Sequence, residues 1–149
     1  MSPLTNLVSP FCYFLLMMHL RINNAGIALN GFDAKVVEET FALNYHHVTD
    51  FNERVLPILK PDGRIIILAS MAGSLNGYSS EIVQRFRSVS SRKEADSMAL
   101  EYQQEARDSI GTLRQKGWKE AAYSVSKVSR RKSRRRNIVA TKLTLLNDS

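Results

Sequence analysis

The sequence of 149 residues is poor in the residues that build several common kinds of site. Its single cysteine, Cys12, cannot form an internal disulfide or a multi-thiolate zinc site, and we assign no metal site. The longest apolar run, 11–20, is interrupted by one histidine and is too short to cross a bilayer. No basic residue precedes that run, which disfavours an export signal. These absences predict a cytoplasmic protein without a membrane segment.

The positive charge is concentrated at one end of the sequence. The whole chain carries +7, but residues 128–149 hold seven basic residues and one acidic residue. Residues 1–127 hold 14 basic and 13 acidic residues, so the body is close to neutral. A nearly neutral body argues against a basic nucleic-acid-binding face. The run 130–136 leaves a nucleic-acid-binding tail as an alternative, although such like-charge runs are usually solvated.

Residues 33–56 carry the clearest helical pattern. Six side chains at steps of three and four residues make one face: Val37, Phe41, Asn44, Val48, Phe51 and Val55. We therefore expect one helix with a buried face, on which Asn44 is the single polar member and needs hydrogen-bond partners. Pro57 and Pro61 would end this helix, and Pro61-Asp62-Gly63 is typical of a turn.

The run 65–69 is apolar and mostly β-branched, which predicts a strand covered on both faces, as in a parallel sheet. It ends at Ser70, and ligands bind just outside the carboxyl ends of such strands. Residues 77–117 are mostly helical in pattern, with a capping box at 91–94. A further helix begins near Glu120, and one short strand is expected within 138–146.

Tyr123 and Lys127 are four residues apart, so on a helix they share one face. A neighbouring ammonium favours the phenolate and lowers the pKa of a phenol, which makes a tyrosine usable as an acid near neutral pH. The pair alone is a weak signal, since a surface helix carries such pairs by chance.

The order of four features along the chain is more specific than any of them alone. Asn23-Asn24-Ala25-Gly26 comes first, then the polar Asn44, then Ser70, and last the Tyr123–Lys127 pair. In this order they resemble the short-chain dehydrogenase/reductase family. Further segments look like its carbonyl reductase branch: residues 56–64, Gly117-Trp118 ahead of Ala122-Tyr123, and the helical stretch between Ser70 and Tyr123.

The resemblance implies an α/β fold, an incomplete doubly wound (Rossmann-like) parallel sheet with flanking helices. It covers residues 22–129, which we expect to form a partial domain of this family. Residues 1–21 are expected to be a loose lead-in with an apolar run, and residues 130–149 a basic tail.

The resemblance also assigns roles to individual residues. Tyr123 would protonate the carbonyl oxygen of a substrate, and Ser70 would hold that oxygen. Lys127 would support Tyr123 and bind the nicotinamide ribose, and Asn44 would hold a water that links Lys127 to solvent. The segment Asn23, Asn24, Ala25 and Gly26 would line the cofactor together with Tyr123 and Lys127.

Two family features are absent from the sequence. No glycine precedes Gly26, so the glycine-rich turn that receives the cofactor pyrophosphate is missing. No proline follows Pro61 and no glycine follows Gly117, so the Pro-Gly segment near the nicotinamide is missing as well. We therefore expect a chain truncated at both ends relative to the family.

Two functions follow from these expectations. The first is an oxidoreductase that reduces ketone or aldehyde carbonyls with NADPH, acting on a small molecule as a monomer. The alternative is a catalytically inactive fragment or interaction protein that lacks the pyrophosphate site.

Overall fold

A computed structural model describes residues 18–68, 70–132 and 138–141. Eight longer elements run through these residues in the order β1 (Met18–Asn23), α1 (Ala34–Phe41), α2 (His47–Val55), β2 (Leu59–Leu68), α3 (Ser80–Ser88), α4 (Arg92–Ser109), α5 (Ala122–Lys132) and β3 (Ile138–Thr141). A π-helical turn at Ala42–His46 joins α1 to α2, and short 3-10 turns lie at Leu56–Ile58, Met71–Gly73 and Ile110–Thr112. In the described part of the chain, none of the helices has the length and apolar character needed to span a membrane.

The three strands form one parallel sheet in the order β1-β2-β3. Ile22 lies opposite Ile66 in the register of β1 with β2, and Ile66 lies opposite Val139 in the register of β2 with β3. Helices connect each strand to the next, as parallel pairing requires. The predicted α/β class with a parallel sheet and flanking helices is confirmed.

The described helices cover one face of this sheet. Consecutive strands with right-handed crossovers that all advance in one direction place their connecting helices on the same side. On that side Ile65 and Ile67 of β2 are fully buried, whereas on the other side Leu20 and Ile22 of β1 are 51% and 55% exposed. On β2 itself, Ile66 and Leu68 on that second face are half-buried, so the expectation of a run covered on both faces is met in full on one face only.

The core has two parts. The smaller part, formed by Val55, Leu59, Ile65 and Ile67, fastens α2 to β2. The larger part lies among the helices, where members of α1, α3, α4 and α5 pack on the Trp118 loop: Val37, Phe41, Phe86, Ala99, Tyr102, Trp118 and Val125. This helical cluster sets the position of α5 against α1 and α4.

The single helix predicted for 33–56 is interrupted by the π-helical turn. A π turn inserts one extra residue, so the buried face shifts by one position beyond it. Thr49 and Asn52 are buried in place of Val48 and Phe51, and Phe51 is 51% exposed. The apolar stripe was therefore predicted correctly only up to Asn44 and again at Val55.

Pro61-Asp62-Gly63 does not form a turn ahead of the strand, because β2 already begins at Leu59. The pairing with β1 jumps from Leu59 opposite Met18 to Arg64 opposite Leu20. The extra residues on β2 make an irregularity within the strand, so the turn-forming residues bend β2 and do not precede it.

Near the end of the described chain, α5 runs through the predicted boundary between residues 129 and 130. Arg130 is fully buried in this helix and is not part of a solvated tail. Residues 133–137 and 142–149 of the predicted tail, and 1–17 of the predicted lead-in, lie outside the described residues, while 18–21 belong to β1.

Two local predictions are confirmed. Ser91 caps α4 by accepting a hydrogen bond from the Glu94 backbone N–H at 3.2 Å, while the Glu94 carboxylate accepts from the Ser90 backbone N–H at 2.7 Å. The short strand expected within 138–146 is β3.

Candidate active site

Asn44 lies in the π-helical turn and is fully buried. Its side-chain amide clasps one residue of the loop that follows β1: Oδ1 accepts from the Ile27 N–H at 2.8 Å and Nδ2 donates to the Ile27 carbonyl at 2.8 Å. Nδ2 also lies 3.3 Å from Ser126 Oγ on α5. The polar residue on the apolar stripe thus joins three segments, as its need for partners predicts.

The Asn23–Gly26 segment continues directly from β1. The Asn23 side chain is buried, donates to Asn52 Oδ1 at 2.7 Å and accepts from Arg21 Nε at 2.7 Å. The next residues, Asn24, Ala25 and Gly26, are exposed at the carboxyl end of the strand. The buried Asn23 side chain therefore anchors the start of a segment whose next three residues are exposed.

Lys127 and Tyr123 share a face of α5, as their spacing predicts. Lys127 is only 2% exposed, and its Nζ lies 5.1 Å from the centroid of the Tyr123 ring. Burial, and secondarily the charge of Arg130, lowers the pKa of Lys127 from 10.5 to about 8. Tyr123 itself is partly exposed, and the buried ammonium lies beside its ring.

Ser70 follows β2 and caps the 3-10 turn at Met71–Gly73, where its Oγ accepts from the Ala72 N–H at 3.3 Å. This turn packs directly on α5. A Cβ on Gly73 would lie 3.2 Å from Lys127 Cβ, so the carboxyl end of β2 lies against the helix that carries Tyr123 and Lys127. The structure therefore brings Asn44, Gly26, Lys127 and the Ser70 turn to one end of the sheet.

Ser70 has a φ of +64° and a ψ of 158°, a backbone conformation that is otherwise nearly confined to glycine. We expect Ser70→Gly to raise the free energy of unfolding by about 1 kcal/mol, since it removes strain of about 1–3 kcal/mol and adds chain entropy. Ser70→Ala, which loses the hydroxyl and keeps the strain, should lower it. Urea denaturation of both variants tests this, and equal stabilities for the two would contradict it.

Gly26 provides the space that the Lys127 ammonium occupies. A Cβ on Gly26 would lie 2.7 Å from Lys127 Nζ and 3.0 Å from Asn44 Oδ1. Gly26→Ala should therefore displace the ammonium and raise the pKa of Lys127 above about 8, which side-chain NMR titration would detect. Gly111→Ala, whose Cβ meets nothing within 4 Å, is the matched control. An unchanged lysine titration in Gly26→Ala would contradict this placement.

Two residues of α5 that the sequence did not suggest also belong to this region. Ser126 Oγ lies within reach of Asn44 and donates to the Tyr123 carbonyl at 2.8 Å. Arg130 donates to the carbonyl oxygens of Asn23 and Ala25. Arg130 lies three residues after Lys127, a spacing that places both side chains on one face of a helix. This spacing is a sequence signal for Arg130, but the arginine run around it suggests a solvated tail.

The assembled groups suit proton transfer to a neutral substrate. A phenol can supply a proton in such a transfer, and a neighbouring cation favours the phenolate that would remain. The exposed residues Asn24–Gly26 lie beside them and leave a surface on which a cofactor could lie. Within residues 18–68, 70–132 and 138–141, no three His, Cys, Asp or Glu side chains form a group that could hold a metal ion.

Comparison with known proteins finds carbonyl reductases among the similar sequences. The chain is 31% identical over 114 residues to carbonyl reductase (NADPH) 1 of Bos taurus, a match over 72% of this chain and 40% of that protein. It is 29% identical over 114 residues to the Homo sapiens protein of the same name, with the same coverage. Carbonyl reductase (NADPH) 3 of Rattus norvegicus is 29% identical over 120 residues, 74% of this chain and 42% of that protein.

The fold has a solved counterpart in salutaridine reductase from Papaver somniferum. The TM-score is 0.67 at 17% sequence identity, over 86% of this chain and 58% of that one. No family model matches the sequence. The chain spans about 40% of the length of the curated relatives it matches. By its identity to carbonyl reductases, and with a fold shared with salutaridine reductase, the chain fits part of a carbonyl reductase-like protein of the short-chain dehydrogenase/reductase family.

Proposed function

We propose that this chain carries the proton-donating part of an oxidoreductase site that reduces ketone or aldehyde carbonyls with NADPH. The observation that carries the proposal is the Lys127 ammonium, buried beside the partly exposed Tyr123 and held against Gly26 and Asn44. Removing an ammonium from water costs free energy, so a lysine buried beside a phenol favours a functional role over a purely structural one.

Tyr123 donates its hydroxyl proton to the carbonyl oxygen as that oxygen gains charge. Lys127 stabilises the phenolate that remains, because its positive charge lies close to the ring in a buried setting. Ser70 donates a hydrogen bond to the same substrate oxygen and lowers the cost of the charge that develops there. The strained backbone at Ser70 supports this role, since such strain concentrates at functional sites.

Asn44 positions the site by clasping the backbone of Ile27, next to Gly26. That clasp uses both ends of its amide, and the water-holding role that the resemblance implies stays a prediction. Lys127 needs its proton for the proposed chemistry, so the rate of reduction should fall as pH rises through about 8, the pKa to which burial lowers it.

NADPH, when bound, supplies the hydride to the carbonyl carbon. Asn23–Gly26, Tyr123 and Lys127 would hold its nicotinamide and ribose end, and the exposed backbone of Asn24–Gly26 fits that task. The 149 residues contain no glycine before Gly26, and hence no glycine-rich turn for the pyrophosphate. We propose NADPH as the cofactor in place of NADH on the ground that the similar carbonyl reductases carry NADPH in their names.

The test is transfer of deuterium. The purified chain is incubated with NADPH deuterated at the transferring position of the nicotinamide and with a panel of small ketones and aldehydes. Mass spectrometry should find deuterium on the carbinol carbon of the product, above a control without protein. No transfer to any carbonyl at saturating NADPH would contradict the proposed activity.

The second candidate is an interaction protein without catalysis, which the uncovered sheet face favours. Leu20 and Ile22 on β1 are both more than half exposed, and the outer edge of β1 pairs with no described strand. Size-exclusion chromatography with light scattering distinguishes the two. A monomer of 16.9 kDa fits the monomeric, cytoplasmic reductase that we propose, whereas a dimer broken by Ile22→Lys favours the interaction protein.

A further inference from the structure

Arg130 lies in α5, one helical turn beyond Lys127, and is fully buried. Its guanidinium reaches the segment that follows β1: one Nη donates to the Asn23 carbonyl at 2.6 Å and the other to the Ala25 carbonyl at 3.1 Å. A planar guanidinium can span two carbonyl oxygens in this way, whereas an ammonium acts as a single point charge.

The same short segment is in contact with Lys127. A Cβ on Gly26 would lie 2.7 Å from Lys127 Nζ, so the ammonium lies directly against the backbone at Gly26. Arg130 and Lys127, two cations from successive turns of α5, therefore both contact residues 23–26. The guanidinium holds the two carbonyls, and the ammonium lies on the last residue.

We propose that Arg130 is a positioning residue: by fixing the backbone of residues 23–26, it holds the surface against which the Lys127 ammonium is placed beside Tyr123. The inference rests on the function proposed for Tyr123 and Lys127. In the sequence, the three-residue spacing of Arg130 from Lys127 is obscured by the basic run that begins at Arg130 and extends to residue 136.

The positive charge of Arg130 also acts on Lys127, next to the segment that its hydrogen bonds hold. The titratable groups that face Lys127 are Tyr123 and Arg130 on its own helix, while Gly26, Asn44 and Gly73 from the other elements are neutral. Tyr45 and His46 of the π-helical turn bond elsewhere, to Asp96 and Gln103. Burial lowers the pKa of Arg130 to about 10, while Tyr123 acts to raise it and the charge of Arg21 lowers it further, so Arg21 adds to the same positive region.

The experiment separates the hydrogen bonds of Arg130 from its charge. Arg130→Lys keeps the positive charge but cannot donate to both carbonyl oxygens at once. Arg130→Met loses both the charge and the two hydrogen bonds. The exposed Arg87→Met is the control. Two readouts are followed by NMR without cofactor or substrate: the titration of Lys127 and the hydrogen exchange of the Asn24 and Gly26 amides, with the Ile27 amide, held by Asn44, as internal reference.

We expect exchange at Asn24 and Gly26 to be about tenfold faster in both Arg130 variants, while Arg87→Met matches the wild type. The pKa of Lys127 should rise above about 8 in Arg130→Met and stay near it in Arg130→Lys. In the wild type, the guanidinium protons of Arg130 should exchange slowly.

A purely structural role predicts lower thermal stability with unchanged lysine titration and unchanged local exchange, and that result would overturn the proposal. If the variants do not fold, the wild type alone decides the proposal. Arg130 guanidinium protons that exchange with solvent as fast as those of an exposed arginine would overturn it. Because neither readout needs NADPH, a chain that fails to reduce carbonyls contradicts the proposed function and leaves these outcomes to decide the role of Arg130.

Discussion

Replacing Tyr123 with phenylalanine is expected to lower kcat for carbonyl reduction by about 10²–10⁴-fold, the usual contribution of a positioned general acid. The change removes only the hydroxyl that donates the proton. Tyr123 is partly exposed, so its ring and its contact with the Lys127 ammonium can remain in place. Single-turnover kinetics with NADPH should show the loss in the chemical step, with little change in the affinity for the cofactor.

Tyr78→Phe is the matched control for that experiment. The Tyr78 hydroxyl is buried without a hydrogen-bond partner among the described residues, and the Tyr78 ring packs against the helical core at Phe86. Its variant should retain the wild-type rate and unfold at the same or slightly higher urea concentration. Equal rates for Tyr123→Phe and Tyr78→Phe would show that the proton comes from another group.

Replacing Lys127 with methionine should have opposite effects on stability and activity. Burial lowers the pKa of Lys127 from 10.5 to about 8, and a shift of this size corresponds to about 3 kcal/mol of destabilisation by the buried charge. Methionine fills a similar volume without a charge. After the lost contact with the Tyr123 ring is counted, the variant should be more stable by about 2 kcal/mol at pH 7 and inactive in carbonyl reduction.

The pH dependence of this difference has a definite sign. Below pH 8 the lysine is charged in both the folded and the unfolded chain, so burial of the charge costs its full amount. Between about 8 and 10.5 the folded chain releases the proton first, and the wild type gains stability as the pH rises. Above 10.5 the lysine is neutral in both states, and the advantage of the variant disappears.

Urea denaturation of the wild type and of Lys127→Met at pH 7 and at pH 10 measures the stability difference and its change with pH. The exposed Lys93→Met is the control and should match the wild type at each pH. A Lys127→Met variant less stable than the wild type at pH 7 would show that the ammonium makes favourable interactions that outweigh the cost of burying its charge, contrary to this prediction.

Local signals in the sequence predicted those parts of the site that depend on local structure. The β-branched run at 65–67 is typical of a strand in a parallel sheet, so it also places Ser70 near a carboxyl end. The polar Asn44 on an apolar stripe needs partners wherever its helix packs. The spacing of Tyr123 and Lys127 fixes their common face once a helix forms.

The remaining features depend on contacts between distant segments, which a single sequence does not display. The π-helical turn forms where Asn44 reaches Ile27, 17 residues away, and it moves the buried face from Phe51 to Asn52. Arg130 is buried because two carbonyls more than 100 residues earlier accept its hydrogen bonds. Charge patterning alone assigned it to a solvated tail, which is the usual outcome for such a run.

A site shared by Ser70, Tyr123 and Lys127 requires that the turn at Met71–Gly73 lies against α5. A cysteine pair measures this directly, because Cys12 is the single native thiol and Cys12→Ser removes it. With Gly73→Cys and Lys127→Cys, the two Cβ atoms would lie about 3.2 Å apart, close to the ~3.5–4.5 Å of a disulfide. Mild oxidation should give an intrachain disulfide in the folded monomer, and none when Gly111→Cys replaces Gly73→Cys. Failure of the first pair to cross-link within one chain would contradict the shared site.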